Sequence, residues 1–257
     1  MEKIKVNYLY EGVVAQIILD DGKGNILDSV MMNELTSFLT ELKNNKNIKL
    51  ITFEGAGKHY SFGASVEEHK KEEAAQMLKS FHSLFYLLID LSIPTLSKIS
   101  GQCLGGGMEL AIMCNLLFAD NTAKLGQPEI VLGVFPPPAS LILPQKIGLA
   151  HAEELLITGK SISAQHAKSI GLINELFENK EELEAGVNTF IQNQILPKSA
   201  SSLRFAIKAI RKIFNKNLLE NLPQLEDMYV NQLMNTYDAN EGINSFLEKR
   251  KPEWKGE

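Results

Sequence analysis

Residues 101–115, GQCLGGGMELAIMCN, constrain the fold more than any other part of the chain. Three consecutive glycines, Gly105, Gly106 and Gly107, precede an apolar run holding one carboxylate, Glu109. A glycine inside a helix or strand costs roughly 0.5–1 kcal/mol relative to alanine. Three in a row therefore mark a place where the backbone turns sharply or where another group must come close. Residues 95–100 (TLSKIS) read as a strand and Met108 onward reads as a helix, so the glycines sit at a strand-to-helix junction. Unpaired N–H groups and the helix dipole gather positive partial charge there, which suits a developing oxyanion. Glu109 lies one turn beyond Gly106 on the same helix face. Walled by Met108, Leu110 and Ile112, its carboxyl should resist ionisation and could serve as acid or base. The structural alternative is a glycine turn for close packing, with the glutamate paired to a cation.

Two further stretches carry chemistry. In LGQPEIVLG (125–133), Glu129 follows Pro128 and precedes Ile130, Val131 and Leu132. Two carboxylates in apolar sequence could hold a water between them and move its protons if they converge. Alternatively, Glu129 is a helix-start carboxylate stabilised by the dipole. In HYSFGASVEEH (59–69), Gly63 permits an unusual backbone angle, so the Ala64 N–H could be a second oxyanion donor. Ser65 has no assignable base and reads as a turn or cap residue. His69, after two glutamates, reads as solvated, with the lining of a pocket as the alternative.

The rest of the chain sets the frame. Residues 3–21 pattern as a β-hairpin hinged at Glu11 and Gly12. Helical spacing covers 29–45, with Ser29 as the expected N-cap, and 72–91, ended by Ile93 and Pro94. Strands are expected at 50–55, 115–120 and 172–177, and helices at 140–147, 150–158 and 163–171, the last capped by Ser163 and closed by Gly171. From Lys180 on, strands give way to helices punctuated by Pro197 and Pro223. The expected division is an α/β core over 1–195 for binding and catalysis and a helical oligomerisation region over 196–257.

Several function classes are disfavoured. The net charge of −5 gives no bulk attraction to nucleic acid, and the basic stretch 204–216 reads as the solvated face of an amphipathic helix. The two cysteines, Cys103 and Cys114, fit neither a disulfide framework nor a metal set and read as small core residues in a reducing, cytoplasmic setting. No run reaches the ~18 apolar residues of a membrane span, and none is of signal-peptide type. GxSxG, phosphate-loop and HExxH motifs are absent, and the five histidines are scattered.

Taken together, FGASVEEH, GQCLGGGMELA and GQPEIVLGVF resemble the crotonase (enoyl-CoA hydratase/isomerase) superfamily, and the similarity runs over nearly the whole chain. The resemblance implies a spiral of ββα units with a C-terminal helical trimerisation region, assembled as a homotrimer or homohexamer. It implies an acyl-CoA substrate, with coenzyme A part of that substrate and no separate cofactor or metal. By motif match, the thioester oxygen would meet the N–H groups of Ala64 and Gly106, and Glu109 and Glu129 would be the paired catalytic glutamates. Phe246 and Lys249 fall on a segment that in relatives often touches the CoA of a neighbouring subunit. Isomerases often use one glutamate, so two favour hydration over isomerisation and over a non-catalytic acyl-CoA- or RNA-binding relative. Three positions depart from the family pattern. Ser65 replaces an aspartate, Lys98 replaces a small apolar strand residue, and Pro136, Pro137, Pro138 and Ala139 replace a glycine-rich run. With Phe135, Pro137 and Pro138 should form a stiff apolar acyl wall that suits a flat ring better than a flexible chain. For Lys98 the sequence offers no account.

Overall fold

Two β-rich runs meet at a turn where Tyr10, Glu11 and Gly12 all take positive φ, which reverses the chain. The resulting strands, β1 (Ile4–Leu9) and β2 (Val14–Leu19), pair antiparallel with Ile4 opposite Leu19. The computed structural model describes residues 1–257. After the hairpin come α1 (Ser29–Leu42), β3 (Leu50–Gly55), α2 (Lys71–Leu91), β4 (Thr95–Ile99), β5 (Gln102–Leu104), α3 (Gly105–Met113) and β6 (Leu116–Asp120). Then follow β7 (Lys124–Gly126), a 3₁₀ turn at Pro128–Leu132, α4 (Pro137–Ile147), α5 (Leu149–Thr158), β8 (Ser161–Ser163), α6 (Ala164–Ser169), β9 (Glu175–Phe177) and α7 (Lys180–Phe190). The chain closes with α8 (Ala200–Ile210), α9 (Lys212–Asp227) and α10 (Tyr237–Leu247). This is the α/β architecture expected.

The main sheet has the order β1-β2-β3-β4-β6-β9, parallel beyond the hairpin, and β5, β7 and β8 form a second, smaller sheet. Strand alternation sends successive side chains to opposite faces. One face joins α1, α2 and α3 in the principal core, and on the other Val14, Leu50, Leu96 and Phe118 meet Leu183 and Val187 of α7. Lys98 lies two residues beyond Leu96 and so faces α7. There its Nζ meets Glu54 Oε2 at 2.8 Å and Glu184 Oε2 at 2.7 Å. The polar residue that the sequence left unexplained is thus the cation of a buried network that ties two central strands to a helix.

Several expectations shift. Asp28, not Ser29, caps α1, accepting from the Met31 N–H at 3.1 Å. α4 starts at Pro137 rather than Ser140, because prolines in a first turn give up only N–H groups that would be unpaired anyway. Pro223 lies within α9 and does not end it. The break between α8 and α9 falls instead at Arg211, whose guanidinium donates to the carbonyls of Met113 (2.7 Å) and Cys114 (2.9 Å) at the C-terminus of α3. Lys146 Nζ adds a bond to the Cys114 carbonyl at 3.0 Å. Arg204 likewise binds the Asn45 and Lys46 carbonyls beyond α1. The basic stretch is therefore partly structural, because cations stabilise carbonyl-rich helix ends.

Ser163 caps α6 as expected, and both cysteines are buried. Residues 196–257 do not form a separate unit. Leu218, Leu222, Tyr229, Met234, Ala239 and Ile243 belong to the same core cluster as the strands and α1–α3. No helix is long and apolar enough to cross a membrane.

Candidate active site

Every residue of α3 is buried, and its three glycines make room for three different neighbours. At Gly105 (φ 49°) a Cβ would stand 2.8 Å from Glu129 Oε1. At Gly106 it would stand 3.3 Å from both Ala64 N and Ala64 Cβ, and at Gly107 it would strike the Ser61 side chain at 2.5 Å. The glycines thus let α3 begin against the Ser61–Ala64 backbone and let the Glu129 carboxylate reach the same point.

That backbone is held by Ser61 N to the Gln102 carbonyl, Leu104 N to the Ser61 carbonyl, Phe62 N to the Gly24 carbonyl and Leu27 N to the Gly63 carbonyl, all 2.9–3.0 Å. None of these bonds uses the Ala64 N–H. Gly63 takes φ 106°, a region closed to ordinary side chains, and this turns the chain at Ala64. Gly106, in the first turn of α3, has an N–H of the kind that helices leave without an intrahelical partner. The two expected donors are therefore neighbours.

Glu109 and Glu129 converge on this point from α3 and from the 3₁₀ turn, and both are buried (4% and 9% exposed). Glu109 Oε1 accepts from the Ala139 N–H at 2.9 Å. Ala139 follows two helical prolines, so it carries the first N–H of α4. With its amide nitrogen turned inward, buried Gln127 donates to both Glu129 oxygens at 3.0–3.1 Å. No lysine or arginine pairs with either carboxylate. The alternative of a glutamate held by a cation is therefore overturned. Burial first, and then the Glu129 charge, push the Glu109 carboxyl well above the ordinary range against the pull of the Ala139 N–H. Burial pushes Glu129 up to about 8. Near neutral pH the pair can hold a proton and also accept one.

Both carboxylates open on a cavity of about 570 Å³. Ala64, Gly106, Phe135, Pro137 and Phe246 line it. Pro138 is buried but lies outside the lining, and so does the exposed Lys249. Phe246 lines the cavity of its own chain, because α10 packs on the turn that carries Glu129. Gly242 lies so close to Leu132 that a Cβ would meet its carbonyl oxygen at 2.2 Å. His69 is half-buried and takes the pocket alternative. It lines the cavity with Nδ1 2.7 Å from the Ser65 carbonyl, and burial lowers its pKa. Two contributors escaped the sequence reading. Gln127 gave only a loop signal, and Tyr229, which also lines the cavity, sits in a helical stretch with nothing to mark it.

The fold and this cleft are those of the enoyl-CoA hydratase/isomerase family, and the named relatives are hydratases. A model of the enoyl-CoA hydratase/isomerase family matches residues 10–257, and the chain belongs to that family. It is 42% identical over 251 residues, 98% of this chain and 96% of the other, to a protein of Thauera aromatica named cyclohexa-1,5-dienecarbonyl-CoA hydratase. A probable enoyl-CoA hydratase of Bacillus subtilis is 31% identical, covering 95% of this chain and 96% of its own. Among solved structures, an enoyl-CoA hydratase from Bacillus anthracis superposes with a TM-score of 0.78 at 30% identity, covering 99% of this chain and 100% of that one.

Proposed function

We propose that the chain hydrates cyclohexa-1,5-diene-1-carbonyl-CoA to 6-hydroxycyclohex-1-ene-1-carbonyl-CoA, a step in anaerobic degradation of aromatic acids. Hydration of an enoyl-CoA thioester follows from the family and its hydratase members. The observation that carries the mechanism is the pair of cation-free, buried carboxylates at the head of an apolar cavity.

In this reading the thioester oxygen accepts hydrogen bonds from Ala64 N–H and Gly106 N–H. One glutamate takes a proton from water as the water oxygen bonds to the ring carbon β to the thioester. The electron pair of the ring double bond moves onto the thioester oxygen, where the two N–H groups stabilise it. As the pair returns, the other glutamate delivers a proton to the far carbon of the diene, leaving one double bond conjugated with the thioester. Water supplies both the hydroxyl and, through the carboxyl pair, the added hydrogen. Loss of one oxyanion donor typically costs about 3–4 kcal/mol of transition-state stabilisation.

Two observations favour a ring. One is the likeness to the Thauera protein, and the other is the stiff wall of Phe135, Pro136 and Pro137, which offers few motions to a flexible chain. The test is kcat/KM for the cyclic dienoyl thioester and for crotonyl-CoA with one preparation. The cyclic substrate is expected to be preferred. Turnover of crotonyl-CoA alone would remove the ring and leave a general hydratase.

The active assembly is a homotrimer or a dimer of trimers in the same reading. α8 buries none of its residues within the chain, and Phe205 and Ile210 on it and Ile213 at the start of α9 are 69–81% exposed. An apolar face of this kind marks an association surface. Sedimentation at micromolar concentration should find a trimer or hexamer, and a monodisperse monomer would exclude it.

A further inference from the structure

Four side chains hold a buried polar atom without a hydrogen-bond partner: Glu68, His82, Asn215 and Tyr229. Of these, only Tyr229 lines the cavity that Glu109 and Glu129 open on. It is 1% exposed, so its hydroxyl is cut off from bulk water as well as from protein partners. An orphaned buried hydroxyl loses its hydration without recompense, and such groups are rare enough that each calls for a cause.

The surroundings hold the phenol in place. Its ring meets Phe135 edge-on, with centroids 5.5 Å apart. It sits in a π-helical turn, Met228–Gln232, that continues α9, and turns of this type recur at functional sites. Three residues earlier, Glu226 Oε2 lies 3.0 Å from Nδ1 of the fully buried His82, which anchors this end of α9 to α2. Burial, and then the charges of Glu129 and Glu109, raise the hydroxyl's pKa. The phenol therefore stays protonated and can donate. It hydrogen-bonds to neither carboxylate, so its hydroxyl remains free to donate to a group that enters the shared cavity.

We infer that Tyr229 is a positioning residue that donates a hydrogen bond to the oxygen being added, to the water before reaction and to the hydroxyl of the product after it. The inference rests on the hydration reading above. A water so held has a lone pair for Tyr229, a hydrogen for a carboxylate and a second lone pair for carbon. In the reverse direction the same bond steadies the departing hydroxyl.

The test compares two inhibitors of hydration in wild type and Tyr229→Phe. One is the hydroxylated product, and the other is cyclohex-1-ene-1-carbonyl-CoA, which lacks the hydroxyl. Phenylalanine keeps the ring and its packing. The variant is expected to raise KI for the hydroxylated thioester about three- to tenfold, the range of one neutral hydrogen bond, with KI for the deoxy thioester unchanged. kcat should fall by a similar factor. Each KI ratio is taken within one preparation, so a smaller folded fraction cancels. An unchanged ratio would overturn the inference. If the cyclic diene is not turned over, the ring assignment fails by itself, and the comparison runs with crotonyl-CoA, 3-hydroxybutyryl-CoA and butyryl-CoA.

Discussion

The molecule buries charge in two places and treats it in opposite ways. On the α7 side of the sheet, Lys98 is held by Glu54 and Glu184, and Gln16 donates to Glu54 as well. On the α3 side, Glu109 and Glu129 are just as deeply placed but have only an amide and a backbone N–H for company. The first network is closed and touches no large cavity. The second is open toward a cavity of about 570 Å³. A buried charge with its counter-charge fixes the packing of elements. A buried carboxylate without one has its pKa raised and tends to keep its proton, which is useful only if something arrives to exchange a proton with it.

The largest effect expected from breaking this contrast is at the open site. Glu129→Gln keeps the shape and removes proton transfer, so kcat should fall ~10²–10⁴-fold while CoA-thioester binding is retained. Steady-state rates beside a binding titration check both halves.

Next in size is the closed network. Lys98→Met strands two carboxylates and should destabilise the fold by about 3 kcal/mol, the lower end for a broken buried pair, because Glu184 is partly exposed and can turn to water. kcat of the folded fraction should not change. Replacing Glu54 by leucine in the same chain should recover most of the loss in chemical denaturation.

A smaller effect is a slope in pH. The folded state holds the Glu129 proton up to about 8, whereas the unfolded chain releases it near the ordinary glutamate value of ~4.3. The folded state therefore binds more protons between these values, and stability falls as pH rises through that window. The urea midpoint of wild type should drop from pH 5 to pH 8, and Glu129→Gln should flatten part of the drop. The smallest effect is expected for Gln127→Leu, which removes a donor from the carboxylate. The pH limb assigned to Glu129 in the kcat/KM profile should move upward by about one unit or less, with kcat down only a few-fold.

Local features of this contrast were legible in the sequence. The triple glycine marked the strand-to-helix junction, and Glu109 and Glu129 stood out as carboxylates in apolar runs. What escaped was set by contacts between distant segments. Lys98 finds Glu184 at a separation of 86 residues, and Arg211 finds the end of α3 at 98. Tyr229 reaches the cavity only because α9 folds back over α2, and no local pattern encodes that. The C-terminal helices were expected to serve assembly and, through Phe246 and Lys249, the CoA of a neighbouring subunit, yet Tyr229, Phe246 and Leu247 wall the cavity of their own chain. An amphipathic pattern says that a helix has an apolar face but not what the face covers.

The open carboxylates are kept for chemistry at the expense of stability. The most direct test measures kcat and the unfolding free energy of Glu109→Gln on one preparation near neutral pH. The glutamine amide can still accept from the Ala139 N–H and cannot ionise. The account predicts kcat lower by at least ~10²-fold, with stability equal to or above wild type. A variant that keeps its kcat and loses stability would contradict it, because Glu109 would then be a structural residue like Lys98.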